Sequence, residues 1–424
     1  MKVLLLNTSE RTGGAAIAAN RLMKALINTG IEAKTLVLNK QTDDKNVIAI
    51  QSSFLKKQFA KWNFLWERWI IFVHNRFSRK NLFKVSIANT GFDVSEHPLV
   101  KAADIIHIHW INQGFLSLKS IKSLIRSGKP IVWTMHDLWI STGICHYPGK
   151  CEKYKTLCCN CPMLLENKIH DLAFKIFSKK SKLNLNQIQY VGCSRWIADE
   201  IKKSNLLKSA NILSIPNPID TNIFYPKDKT AVRKKLQLPV DKRLLLFSAA
   251  KISDTRKGGI YFIEACELIC RKYPELAQTV EIVLLGKGDK LFSNEAKITT
   301  HTLHYISDDS NLTDVYSAVD IFVIPSLEDN LPNTIMESMA CGTPCVGFNT
   351  GGIPEMVDHK TNGYITENKS AEDLAQGILW TLFEANYERL SQNTRQKVVN
   401  CYSENVVAKQ YIELYKTVIN GLNE

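Results

Sequence analysis

Two doubly wound, parallel α/β sheets are the fold this sequence predicts, and three observations predict them. Short apolar runs rich in β-branched and aromatic residues alternate with helical periodicity along the chain, as expected of parallel strands buried on both faces. The 424 residues exceed the size at which one hydrophobic core keeps growing, so two domains of about 200 residues each are expected. A proline-punctuated polar connector, Asn217-Pro218-Ile219-Asp220 followed by Phe224 and Pro226, divides the alternation into two halves.

In the first half, VLLLN at 3–7 reads as a strand. A polar loop from Thr8 to Gly14 follows, then AAIAANRLMKALINTG, whose small and apolar residues recur at helical spacing until Gly30 stops them. Further strands are expected at 32–38, 105–109, 130–134, 188–193 and 212–215. The second half offers strands at 244–250, 280–288, 300–306, 321–325, 344–348 and 363–366, with helices between most of them. The stretch 400–422 carries apolar residues at helical intervals.

No run approaches transmembrane length, and the opening MKVLLLNTS lacks a small-residue cleavage pattern, so it reads as a strand rather than a secretion signal. A cytoplasmic location is expected, with the eleven cysteines as thiols or metal ligands rather than disulfides. The net charge of +13 favours anionic partners: nucleoside diphosphate-sugars, lipid phosphates, membrane headgroups or nucleic acid.

The densest chemistry lies between Pro325 and Glu355, PSLEDNLPNTIMESMACGTPCVGFNTGGIPE. A buried strand, IFVIP, runs into a polar loop, and a helix is expected from Asn333 to Ala340, capped by Asn333 or Thr334 and stopped at Cys341-Gly342. Asp329 then sits outside the strand's carboxyl end and Glu337 on the helix just behind it, at the edge where open α/β sheets bind ligands. The plainer alternative is two acids that are solvated or favour the helix dipole. Thr12-Gly13-Gly14-Ala15-Ala16 places unhindered N–H groups between strand one and helix one, where a phosphate or an ordinary tight turn would fit. Lys251 to Gly258, KISDTRKG, sets cations at another strand exit, suited to a diphosphate or to a solvated basic loop. His136 and Asp137, in WTMHDLW, lie beyond a strand end where a histidine can orient a sugar hydroxyl or serve packing. His107 and His109 share one strand face and read as packing residues.

An acid, seven residues, a Glu, then S-M-A-C-G-T-P and a later G-G-I-P-E resembles the signature of retaining glycosyltransferases of the GT-B fold, glycosyltransferase family 4. The resemblance implies two facing Rossmann-like domains with a central cleft. Residues 1–218, with a crossover helix in 400–424, would form the acceptor side, and 219–399 the donor domain. It implies His136, Lys257 and Asp329 as the catalytic set. Gly14, Lys251, Arg256, Lys257, Glu328, Asp329, Asn330, Leu331, Pro332, Asn333 and Glu337 would bind the donor. In the family the first acid is usually Glu and touches the sugar or its phosphate, while the second binds the ribose. Here Asp329 is one methylene shorter, and Glu328 lies beside it. The implied activity moves a sugar from a UDP- or GDP-sugar to a glycan or lipid-linked acceptor with retained configuration, in bacterial surface polysaccharide synthesis. No DxD-like pair stands out, so metal-independent chemistry is expected.

Two features fall outside that signature. Cys145, Cys151, Cys158 and Cys161, ending in C-x2-C, suit a structural zinc site or free thiols packed as small apolar groups. The run WTMHDLWISTGICHY before the spaced cysteines also resembles a bacterial subgroup of these transferases. Residues 54–84 hold eight Lys/Arg against one acid, with Leu55, Phe59, Trp62, Trp66, Trp69, Val73 and Phe77 on one helical face. That composition suits peripheral contact with the inner face of the plasma membrane, or a helix pair packed into the core. Rival readings are a sugar-nucleotide epimerase of the same architecture, a noncatalytic scaffold, and a nucleic-acid-binding protein built on the cysteines. The lack of zinc-finger helix spacing counts against the last, and no nucleic-acid partner is expected.

Overall fold

A computed structural model describes residues 1–51, 53–166, 168–288, 298–306 and 308–421. The chain divides into two compact units: Met1–Pro218 together with the chain from Val407 on, and Ile219–Val406.

The first unit holds a seven-stranded sheet: β1 (Lys2–Ser9), β2 (Glu32–Asn39), β3 (Val47–Ala49), β4 (Ile105–Ile108), β5 (Ile131–Met135), β6 (Gln189–Gly192) and β7 (Ile212–Ser214). Every pairing is parallel, in the order β3-β2-β1-β4-β5-β6-β7. The edge strand β3 escaped sequence reading because three residues are too few to show a period. Strand order reverses on either side of β1, which makes the carboxyl ends of β1 and β4 a switch point where ligands bind. Successive residues alternate faces. Leu4, Leu6, Ile106 and Ile108 enter one core, while Val3, Leu5, Ile105 and Val132 enter the other.

That second face is covered by helix Gly14–Asn28 and by helix Glu404–Asn420. The chain end is not one helix over 400–422, as its periodicity suggested. Helix Tyr387–Cys401 stops at Tyr402, and only the stretch from Val407 on belongs to the first unit. Val407, Ala408, Tyr411, Leu414 and Tyr415 form a single buried stripe along it. The two tyrosines carry polar ends into the sheet: Tyr415 Oη meets His107 Nδ1 at 2.7 Å, and Tyr411 Oη meets Thr134 Oγ1 at 2.8 Å. Burial lowers the His107 pKa to about 3, so the ring is neutral and serves as a packing residue.

The second unit holds six parallel strands: β8 (Arg243–Lys251), β9 (Val280–Lys287), β10 (Thr300–Leu303), β11 (Ile321–Ile324), β12 (Cys345–Phe348) and β13 (Gly363–Thr366). Their order, β10-β9-β8-β11-β12-β13, puts the switch point at β8 and β11. Asp320, at the entry to β11, accepts from Arg233 at 2.7 Å, Lys229 at 2.8 Å and the Leu244 N–H at 2.7 Å, which ties β11 to the start of β8.

Candidate active site

At the β8/β11 switch point the chain brings two distant loops together. The turn Thr255–Lys257 after β8 is capped by Asp254, whose carboxylate accepts the Arg256 N–H at 3.0 Å. Gly258 follows at φ 70°, and a β-carbon there would lie 1.8 Å from the Pro325 carbonyl oxygen. Only glycine allows that approach. Leu327 N–H donates to the Arg256 carbonyl at 2.8 Å, and the Arg256 guanidinium donates to the Glu328 carbonyl at 2.6 Å. On the other side Gly351 closes on Asp329, where a β-carbon would stand 1.6 Å from its carbonyl oxygen.

These contacts aim Lys257 at Asp329, with Nζ 2.5 Å from Oδ2. Arg256 lies 3.7 Å from the same oxygen, and Ser326 donates to it at 3.2 Å. Burial alone would raise the Asp329 pKa, but Lys257, Arg256 and the hydrogen bonds hold it below the usual carboxylate value. Glu337 is buried behind the loop on helix Asn333–Ala340, and the Tyr316 hydroxyl donates to it at 2.9 Å. The helix runs over the expected residues, yet its cap is Pro332, with no side-chain hydrogen bond to the first turn, rather than Asn333 or Thr334. The helices after β1, β8 and β12 also begin behind a glycine, Gly13, Gly258 or Gly352, without a side-chain cap. Elsewhere Ser117, Asp171, Ser194, Asp228, Asp308, Ser370 and Asn386 provide such caps. The residues preceding these helix starts give them no side-chain cap.

Asn330 and Leu331 are buried in the same loop, and Glu328 is half-buried. Gly14 is the exposed first residue of its helix. Lys251 is exposed at the end of β8, and its side chain makes no hydrogen bond or ion pair among the described residues. Lys257 and Arg256, rather than Lys251, are the cations joined to Asp329.

The first unit gathers a different set beyond β4 and β5. His109 Nδ1 meets His136 Nε2 at 2.9 Å, and the rings stack. Burial lowers the His136 pKa to about 4 against the opposing charge of Asp137, and it drives His109 well below its ordinary value. Both rings are therefore neutral near pH 7, each with one donor and one acceptor nitrogen. Asp137 accepts from Trp110 Nε1 at 2.9 Å and pairs with His146 Nδ1 at 2.7 Å, and His146 Nε2 meets Ser86 Oγ at 3.0 Å. Ser86 is fully buried, which withholds this Ser-His-Asp chain from any substrate. A cavity of about 10 Å³, room for one water-sized group, is lined by His109, Asn112, His136 and Asp137. Buried His109 Nε2 and Asn112 Oδ1 have no hydrogen-bond partner among the described residues. Sequence reading set His109 aside as packing. The signal was present in the alternation of His107 and His109, but only the three-dimensional pairing with His136 separates their roles.

Cys145, Cys151, Cys158 and Cys161 lie near enough to one another to influence each other's ionisation. Among the described residues no group of three or more His, Cys, Asp or Glu is arranged to hold a metal ion, the cysteine cluster included. None of the eleven cysteines is in a disulfide, and burial pushes the thiols of Cys145, Cys158 and Cys161 up to about 12. No described helix is long and apolar enough to cross a membrane.

The family described as Glycosyl transferases group 1 matches residues 242–383, a span that contains Lys257, Asp329 and Glu337. These residues carry a group 1 glycosyltransferase domain. An uncharacterized glycosyltransferase of Haemophilus influenzae is 31% identical over 175 residues, 40% of this chain and 45% of that protein. The N,N'-diacetylbacillosaminyl-diphospho-undecaprenol alpha-1,3-N-acetylgalactosaminyltransferase of Campylobacter jejuni is 26% identical over 226 residues, 51% and 58% of the two chains. The putative colanic acid biosynthesis glycosyl transferase WcaC of Escherichia coli is 24% identical over 332 residues, 74% and 76% of the two chains. The chain thus spans about half the length of the first two curated relatives. Among solved structures, Anabaena HepE in complex with UDP-glucose superposes with a TM-score of 0.64 at 14% identity, over 98% of this chain and 100% of that one. At that identity the likeness establishes the fold alone: the GT-B fold, with the group 1 domain in its second unit.

Proposed function

We propose that the chain is a retaining, metal-independent glycosyltransferase that moves a sugar from a nucleotide-sugar to a glycan or lipid-linked acceptor in bacterial surface polysaccharide synthesis. It works at the inner face of the plasma membrane. The observation that carries the reading is the Lys257–Asp329–Arg256 cluster at the switch point of the group 1 domain, with Glu337 on the adjoining helix. The UDP-glucose bound by HepE and the undecaprenol-diphosphate substrate in the name of the Campylobacter relative support the donor and acceptor classes.

In this reading Asp329 acts through Lys257. It holds the ammonium in one place, beside the start of helix Asn333–Ala340. A diphosphate leaving group meets fixed positive charge that need not reorganise as its own charge grows, which is often the largest catalytic contribution. Glu337 accepts ribose hydroxyls. His136, neutral, orients the neutral His109 ring, whose unpartnered Nε2 fits, with Asn112 Oδ1, a hydroxyl-sized group.

The test is a transfer assay with UDP- and GDP-sugars against polyprenyl-diphosphate sugar acceptors, in the presence of a chelator, with the product's anomeric configuration read by NMR. The retained anomer at an undiminished rate is expected. An inverted product, or interconversion of nucleotide sugars without acceptor, would replace this reading with another, the latter with an epimerase.

A further inference from the structure

Helix Phe54–His74 is built inside out. The residues it buries are Ala60 and Ile71 together with polar Asn63, Glu67 and Arg68. Glu67 accepts the N–H groups of Ile87 and Ala88 at 2.7 and 2.9 Å. Arg68 donates to the carbonyls of Leu82 and Val85 at 2.5 and 3.0 Å and pairs with Glu67 at 2.9 Å. Those anchors fix the helix to the first unit through hydrogen bonds. The large apolar residues that would ordinarily be buried point outward: Leu55, Phe59, Trp62, Leu65, Trp66 and Trp69 are between 38% and 78% exposed. Phe59, Trp62, Trp66 and Trp69 form a stacked ladder with centroid steps of 6.3, 5.5 and 5.1 Å. An exposed apolar surface that continuous marks an interaction site.

The charge around it selects the partner. Residues 54–84 contain eight Lys/Arg and one acid. Arg68 and the acid, Glu67, are buried against each other, so the seven remaining cations, from Lys56 to Lys84, are exposed with no exposed acid in the segment. A second copy of the chain would set those cations against their own kind. Single-stranded nucleic acid needs open ring faces for its bases, whereas here the faces cover one another and Leu55 and Leu65 protrude beside them. We propose that this face lies on a bilayer rich in anionic lipid, with the tryptophan ladder at the headgroup boundary and the flanking cations on lipid phosphates. The inference deepens the membrane-side reading above and gives it a surface.

The experiment is cosedimentation of the full chain with phosphatidylcholine vesicles, with and without phosphatidylglycerol, at low and high salt. Two variants accompany it: Trp62→Ala/Trp66→Ala/Trp69→Ala and Lys56→Glu/Lys57→Glu/Lys61→Glu. All six positions are exposed, and circular dichroism together with nucleotide-induced thermal stabilisation verifies that both variants fold. The wild-type chain is expected to bind the anionic vesicles, weakly at high salt and little without phosphatidylglycerol, and each variant to lose binding by about tenfold or more. Absence of vesicle binding, or binding unchanged in both variants, would overturn the proposal. So would a dimer in light scattering that the tryptophan variant dissolves, or preferential capture of a single-stranded oligonucleotide. Vesicle binding by a chain that ignores every nucleotide would sink the transferase reading and leave this one standing.

Discussion

The two switch points hold their polar residues by opposite means. In the second unit, full charges are brought together across 72 residues of sequence, and glycines at 258 and 351 let backbone close on both sides of Asp329. In the first, neutral rings pack against one another, His107 and His109 buried and His136 half-buried and stacked on His109, all three below their ordinary pKa. The difference teaches a division of labour: fixed charge suits a diphosphate, while neutral donors and acceptors suit hydroxyl groups.

Removing the charge should do most damage. Lys257→Ala is expected to lower kcat by about a hundredfold to a thousandfold, the range for losing one preorganised electrostatic contact. Asp329→Asn should fall between that variant and wild type, and the double variant should be little worse than Lys257→Ala, which a double-mutant cycle on kcat reads directly. Additive effects would mean that Asp329 touches the donor itself. Gly351→Ala comes next: the added methyl meets the Asp329 carbonyl, so nucleotide-induced stabilisation should drop by at least about tenfold in affinity, with the chain still folded by circular dichroism.

The neutral site should be gentler. His136→Ala and His109→Ala are each expected to cost about tenfold in kcat/KM, corresponding to about 1.4 kcal/mol, with nucleotide affinity unchanged. Nucleotide binding lost in either variant would erase the proposed division.

Acid should separate the two units. The three histidines have folded pKa values below 6.5, so the unfolded chain binds more protons as pH falls beneath that value. Their stabilisation is intact above about 6.5 and declines toward pH 4, by up to about 1.4 kcal/mol per pH unit for each ring. The Asp329 carboxyl lies below 3.8, so its contribution persists above 3.8 and disappears only as pH falls further. Seven of the eight tryptophans belong to the first unit, Trp380 being the exception, so tryptophan fluorescence should change between pH 6 and 4 before nucleotide binding is lost. Simultaneous loss would show that the units share one acid transition.

What could be read from sequence was local. Helix Asn333–Ala340 and the place of Glu337 on it follow from spacing within a dozen residues, and the buried strands followed from apolar runs. The cap did not: Asn333 is a good capping residue, but Pro332 fixes the chain's entry and places Asn333 inside the helix. Long-range pairings such as Lys257 with Asp329, or His109 with His136, leave no periodic trace. The helix at 54–74 shows the same limit, because periodicity finds an apolar face without telling whether the fold or a partner covers it. Cysteine spacing alone likewise leaves metal ligation and packed thiols equally open.

The most direct measurement is thermal stabilisation of the wild-type chain, Lys257→Ala and Glu337→Gln by UDP, GDP and ADP. Stabilisation of the wild type by one of these nucleotides, weakened by at least about tenfold in apparent affinity in both variants, is the predicted result. A folded wild-type chain that responds to none of them, or variants that respond as strongly as wild type, would contradict the account.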